Sequence, residues 1–339
     1  MSIGAFICGC AESSFSSDER AFLKDANPWG LILFARNISE PQQVRALCED
    51  FRSIVGRADA PVLIDQEGGR VRRLRPPLVA DHPPAWTYGS RYAGDPEGAR
   101  QAARLSGQVL GAELSDLGIT VNCAPVLDLR YKDAHDIVGD RAFGDTPATV
   151  ADLGHALADG LMDAGVLPVV KHIPGHGRAM ADSHFSLPEV NTPREELEAT
   201  CFAPFRLYAD APLAMTAHVV YRSIDAERPA TTSPIVVEDI IRSFIGFDGL
   251  LMSDDLSMKA LQGPIRQRAE ASISAGCDVT LHCNGNMAEM MDVAAGSPVL
   301  TGKAAARAEA ALALIAGARK VDLSEHRARL EAMWRSAVA

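Results

Sequence analysis

Short apolar runs of four to eight residues recur along the chain, each bounded by Gly, Pro or polar residues. They occupy 4–8, 29–34, 61–64, 120–127, 167–170, 213–216, 249–252 and 279–283. Runs of this length between turn-forming residues are the signal of buried strands. Most are followed by a stretch in which apolar residues return every three or four positions, over 41–55, 96–117, 148–164 and 266–275. That is the period of a helix with one buried face. Strand then helix, eight times over, predicts a (β/α)8 barrel of the α/β class. An open doubly wound sheet is the alternative, but it would ordinarily offer fewer strands and a glycine-rich phosphate turn after the first, and the chain has no such turn. Two stretches rich in Ala, Arg, Glu and Leu, 300–316 and 324–334, predict terminal helices packed outside the barrel. No linker rich in Pro, Gly or Ser divides the chain, so residues 1–339 are read as one domain.

Polar residues gather where the runs stop. Asp65 follows the third, Asp128 the fourth, Lys171 and His172 the fifth, His218 the sixth, and Asp254 with Asp255 the seventh, while His282 and Asn284 stand at the eighth. One polar residue at a strand end is what any loop supplies. Six ends of eight carrying an ionisable or amide group is a pattern, because a barrel brings the C-terminal ends of all its strands to one mouth, where active sites sit.

The densest chemistry is KHIPGHGRAMADSHFSLPEV, 171–190, with three His, one Lys and one Asp among glycine and proline hinges. Asp182 stands two residues before His184, close enough to orient the ring and raise its basicity, which is the make-up of a general acid/base. The plainer alternative is a local turn in which Asp182 bonds backbone amides and His184 faces water. His172, His176, Asp182 and His184 are all metal-ligand types, yet three of the four hang on one loop and neither HxH nor HExxH spacing occurs, so no metal is expected. Lys171 suits a Schiff base or a contact to a substrate hydroxyl equally well. Alternation along an extended strand sends one of Asp254 and Asp255 into the cavity and leaves the other to cap the next helix. A carboxylate there, facing an acid/base on the fifth loop, meets the needs of retaining glycoside hydrolysis, with His184 where a second carboxyl is usual. His218 is the next candidate for the acid/base.

Composition narrows the partners. The 33 Lys and Arg against 44 Asp and Glu give a formal charge of -11, without the basic footprint a nucleic acid requires. No apolar run approaches the roughly 20 residues of a membrane span. Seven scattered cysteines, an odd number without metal or redox-motif spacing, read as reduced thiols of a cytoplasmic protein. Cys8-Gly9-Cys10 faintly resembles a lipoprotein cleavage box, but no basic residue precedes it.

Taken together, DQEGGRVRRL at 65–74, GDRAFG at 139–144, KHIPGHG with DSH within 171–184, MTAHVVY at 215–221, GFDGLLMSDDLSM at 246–258 and AGCD at 275–278 resemble glycoside hydrolase family 3, in its short bacterial β-N-acetylglucosaminidase branch. The resemblance implies a (β/α)8 barrel that removes terminal non-reducing β-linked N-acetylglucosamine by a retaining double displacement, with no cofactor or metal. It implies Asp254 as nucleophile, His184 as acid/base supported by Asp182, and sugar contacts at Asp65, Arg73, Arg141, Lys171 and His172. Ile173 departs from the family's usual Phe. Larger relatives draw the acid/base from a second domain; here the DSH loop supplies it. The branch's role in peptidoglycan recycling implies a small carbohydrate or muropeptide substrate, a cytoplasmic location and no obligate protein partner. A phosphorylase and a non-catalytic sugar-binding barrel are the competing readings.

Overall fold

The computed structural model describes residues 2–183, 186–315 and 321–336. Eight strands close into a barrel: β1 Gly4–Cys8, β2 Pro28–Leu33, β3 Val62–Ile64, β4 Val121–Asn122, β5 Leu167–Ile173, β6 Leu213–Thr216, β7 Leu250–Asp255 and β8 Val279–His282. Their order round the barrel is β1-β8-β7-β6-β5-β4-β3-β2, and every neighbouring pair is parallel. The fold class is the one the apolar runs predict.

Side-chain parity explains where the site lies. One face of the strands, with Ile7, Ile32, Leu63, Val169, Met215, Met252 and Leu281, fills the barrel interior. The other, with Cys8, Leu31, Ile64, Val170, Ala214 and Leu251, packs against the surrounding helices. Continuing the inward series two residues at a time reaches Asp65 and Glu67 after Leu63, Lys171 after Val169, and Asp254 after Met252. The apolar interior thus hands over to charge at the C-terminal mouth.

The strand bounds depart from the apolar runs where charge or proline intervenes. Lys171 and His172 lie within β5, and Asp254 and Asp255 within β7, rather than beyond them. Apolar content fades before the backbone pairing does. β4 is only two residues of the eight-residue run, because Pro125 lacks an N–H; pairing with β5 continues through Leu127 N to Lys171 O at 2.7 Å and Val169 N to Ala124 O at 3.1 Å.

Helices Pro41–Val55, Pro96–Asp116, Pro147–Asp163 and Ile265–Ala275 match the periodic segments to within a residue. Ser17–Ala26 adds another, opened by a capping box between Ser16 and Glu19. Pro96–Asp116 and Pro147–Asp163 cross in close contact: a Cβ on Gly160 would sit 2.1 Å from Arg104 O, and one on Gly107 would sit 2.2 Å from Leu157 O. The two terminal helices part company. Leu323–Ser336 packs outside, as expected, with Leu330 against Leu105 and Val109. Gly302–Ala313 instead puts Ala308 and Ala311 into the interior cluster, closing the N-terminal end of the barrel, while Leu300 N bonds Ile3 O at 2.7 Å. Its small alanines fit where the inward strand residues leave an open floor.

Candidate active site

At the C-terminal mouth lies a cavity of about 510 Å³, whose lining includes Asp65, Glu67, Arg73, Arg141, Lys171, His172, His176, Asp182, Asp254 and Asp255. Pockets of this size hold small ligands. One wall is an alternating chain of five charges. Arg73 Nη2 meets Asp65 Oδ2 at 3.0 Å, and Lys171 Nζ lies 2.8 Å from Asp65 Oδ1 and 2.7 Å from Glu67 Oε1. Arg141 closes the chain with two 2.8 Å bonds, Nε to Oε2 and Nη2 to Oε1 of Glu67. Bidentate geometry of this kind fixes both planes.

Burial alone would raise both carboxyls and lower the lysine. The cations beside them outweigh it: Lys171 and Arg73 hold Asp65 far below its ordinary range, Arg141 and Lys171 hold Glu67 down to about 2, and Asp65 and Glu67 keep Lys171 charged. An amine held protonated lacks the free lone pair that a Schiff base requires, so the structure favours the hydroxyl-contact alternative for Lys171. Arg73 also lies over the Phe34 ring, 4.8 Å from its centroid.

His172 reaches the same cavity from β5. The register of β5 against β6 slips between Lys171 and Ile173, and such an irregularity lets consecutive side chains face one space. Its Nδ1 lies 2.7 Å from Asp128 Oδ2, and Asp128 also accepts from His176 N at 2.6 Å. Fully buried Asp128 therefore orients the His172 ring and pins the turn of the following loop. His176 is buried with Nδ1 unpartnered among the described residues, and burial, then neighbouring His172, lowers its pKa to about 4.

The end of β7 differs from expectation in one respect. Both Asp254 and Asp255 line the cavity, because the register against β8 shifts between Met252 and Asp255. Asp255 caps no described helix; the one that follows opens at Pro264. Its carboxylate accepts from Ser257 Oγ at 2.6 Å, Ser257 N at 3.0 Å and Cys283 N at 3.1 Å, stitching the β7 turn to the end of β8. Asp254 Oδ1 accepts only the adjacent Asp255 N–H, at 2.8 Å, among the described hydrogen bonds. Burial would raise the Asp254 carboxyl, but His218 and His172, helped by that N–H, hold it below its ordinary value. His218 is not a stand-in acid/base: it is fully buried, with Nδ1 2.7 Å from Thr231 Oγ1 and Nε2 3.0 Å from Asp255 O.

The loop after β5 brings Asp182 and Ser183 to the cavity rim, and Ala260 N donates to Ser183 O at 3.2 Å, binding the loop to the segment that follows Asp255. His184 lies outside the described residues. Short parallel strands, Glu189–Val190 and Val220–Tyr221, anchor the loop's far end. Among the described residues, no group of three or more His, Cys, Asp or Glu is arranged to hold a metal ion. All seven cysteines are buried and none is disulfide-bonded.

Sequence reasoning missed Glu67, although it stands two residues beyond Asp65 on the same inward series. It also missed Arg70, at the cavity mouth, which pairs with Asp136 at 2.9 Å and Asp140 at 3.3 Å. Arg70 carried no signal beyond its place in a basic run.

The glycosyl hydrolase family 3 N-terminal domain matches residues 6–313. A β-hexosaminidase of Thiobacillus denitrificans is 41% identical over 290 residues, covering 84% of this chain and 79% of that protein. A β-hexosaminidase of Methylococcus capsulatus is 39% identical over 332 residues, 95% of this chain and 94% of its own. Among solved structures, NagZ from Neisseria gonorrhoeae in complex with N-trifluoroacetyl-D-glucosamine superposes with a TM-score of 0.86 at 32% identity, covering 98% of both chains. With the barrel, the charged mouth and these relatives agreeing, the chain belongs to glycoside hydrolase family 3.

Proposed function

We propose that this chain is a retaining exo-β-N-acetylglucosaminidase, with residues 1–339 acting as one catalytic domain. As a family 3 glycoside hydrolase whose relatives are β-hexosaminidases, it acts as a β-N-acetylhexosaminidase. The observation that carries the finer reading is Asp254: an ionised carboxylate, half-buried where it lines the cavity and bonded only by its neighbour's N–H among the described hydrogen bonds, beside a wall of fixed charges suited to sugar hydroxyls.

In the first step, Asp254 attacks the anomeric carbon and a glycosyl ester forms. The bond to the leaving oxygen breaks as His184, oriented by Asp182, delivers its proton. In the second, water attacks the same carbon, its proton returns to His184 and the Asp254 carboxylate is released. Asp65, Arg73, Arg141, Lys171 and His172 hold the N-acetylglucosamine. The lysine and arginines donate; Asp65 accepts on lone pairs its two cations leave open.

The substrate we infer is a muropeptide, N-acetylglucosamine linked to 1,6-anhydro-N-acetylmuramic acid bearing a peptide, cleaved in the cytoplasm during peptidoglycan recycling. The seven free thiols suit a reducing compartment, and no described helix is long and apolar enough to cross a membrane. A slow 5-fluorinated N-acetylglucosaminyl donor tests the mechanism: mass spectrometry should find the adduct on the peptide holding Asp254, and Asp254→Asn should abolish it. An adduct on Asp255, or normal turnover by Asp254→Asn, would refute the assignment.

A further inference from the structure

We propose that His218 is a positioning residue for Asp254, gripping the end of β7 from both sides through a closed ring of hydrogen bonds. The inference rests on the reading of Asp254 as nucleophile. Nε2 of His218 bonds the Asp255 carbonyl at 3.0 Å. From Nδ1 the ring continues to Thr231 Oγ1 at 2.7 Å, on to Thr216 Oγ1 at 2.8 Å, and so to the Asp254 N–H, which Thr216 Oγ1 accepts at 3.2 Å. Thr216, His218 and Thr231 are all fully buried, so water does not compete for these bonds.

Proton counting shows why a histidine suits the place. The Asp255 carbonyl can only accept, so Nε2 carries a proton in either charge state. When the ring is neutral, Nδ1 accepts the Thr231 hydroxyl proton. When the ring is charged, Nδ1 donates to that hydroxyl, whose own proton turns to Ala217 O at 3.2 Å. Both states keep every ring nitrogen bonded, so His218 can hold a positive charge beside Asp254 without loosening the strand end. Among the described residues, the titratable groups facing this network are Asp254 and Asp255 from β7, His172 and Lys171 from β5, His176 from the loop after it, and Cys277, whose Sγ lies 3.7 Å from Thr231 O.

The test uses the full chain and an aryl β-N-acetylglucosaminide with a dinitrophenyl leaving group, which needs no acid. His218→Gln retains an amide donor for the Asp255 carbonyl; Thr231→Val removes the relay hydroxyl while keeping its volume. Both should lower kcat about 10- to 100-fold with little change in KM, as expected when a reacting group is misplaced. Thr231→Ser should recover most of the loss. In His218→Gln the acidic limb of kcat/KM should also move up, because His218 is foremost among the neighbours that hold the Asp254 carboxyl down against burial. Should His218→Gln fail to fold, the Thr231 pair decides. Wild-type rates in Thr231→Val, or a Thr231→Ser no better than Thr231→Val, would overturn the proposal, as would an unmoved acidic limb in a folded His218→Gln. Adduct mapping in the wild type keeps the questions apart: a label away from Asp254 defeats the nucleophile reading, whereas a label on Asp254 with unaffected variants defeats only the role of His218.

Discussion

The wall from Arg73 to Arg141 and the loop leaving β5 meet over one cavity but are held by different forces. In the wall, the side chains of Lys171, Glu67 and Arg141 are 3%, 7% and 10% exposed, and each finds its opposite charge within 3 Å. Moving Glu67 takes from Arg141 the carboxylate it pairs with, and a buried charge left uncompensated costs several kcal/mol. The described part of the loop is tied largely through its main chain, by Ala179 N to His176 O at 3.0 Å, His135 N to Ala179 O at 3.1 Å and Ala260 N to Ser183 O at 3.2 Å, and Met180 is 67% exposed. Each such bond is worth only about 1 kcal/mol net. The contrast teaches a division of labour: Asp254 and Lys171, proposed as nucleophile and sugar contact, stand on barrel strands amid buried charge, while the proton transfer we propose falls to a loop whose described part is tied largely by main-chain bonds.

The strongest way to break that division is His184→Ala. Cleavage of the natural disaccharide should fall about 10²- to 10⁴-fold, the usual contribution of a general acid. A dinitrophenyl glycoside should still form the glycosyl-enzyme, and azide should restore turnover as a β-glycosyl azide. Asp182→Ala should show a milder version. Equal losses on both substrates without azide rescue would mean that the loop only shapes the site.

On the wall, Glu67→Ala should raise KM, since Lys171 and Arg141 lose their shared anchor, and should destabilise the fold by about 3–5 kcal/mol. Glu67→Gln, which keeps an acceptor, should do less. Denaturant midpoints beside steady-state kinetics separate the two effects; an unchanged midpoint in Glu67→Ala would show that the wall is not the rigid half.

Acid should discriminate more gently. His176, with its pKa lowered from 6.5 to about 4, takes up its proton less readily when folded than unfolded. Its contribution is therefore complete above about pH 6.5 and lost as pH falls toward 4, whereas that of Glu67, lowered from 4.5 to about 2, is lost only below about pH 4.5. Tm measured across this range should slope less between pH 6.5 and 4 in His176→Asn than in the wild type. An unchanged slope would remove His176 from the account. The smallest effect is none: EDTA should leave activity intact, because Asp65 and Glu67 already have Lys171 between them. A chelator-sensitive activity restored by zinc would reopen the metal reading.

Much of this was legible in the residues because a barrel strand alternates with a fixed period. Leu63, Asp65 and Glu67 share one series, as do Met252 and Asp254, so parity alone points Asp254 inward. Parity fails where register slips: His172 and Asp255 both face the cavity after local shifts, so sending only one of Asp254 and Asp255 inward does not hold. Partnerships distant in sequence were hidden for a different reason. Nothing near Asp128 announces that it orients His172, and nothing in MTAHVVY says that His218 will be sealed beneath Asp255 O. Such contacts are set by the closure of the barrel and by no local pattern.

The floor formed by Gly302–Ala313 has a consequence for how the protein is made. β1 pairs with β8 and Ile3 bonds Leu300, so β1 is completed by segments that leave the ribosome long after it. At about 5–20 residues per second, β1 waits roughly 15–60 s for its second neighbour. Throughout that interval the apolar GAFIC edge has only β2 beside it, an exposed strand of the kind that recruits chaperones or other nascent chains.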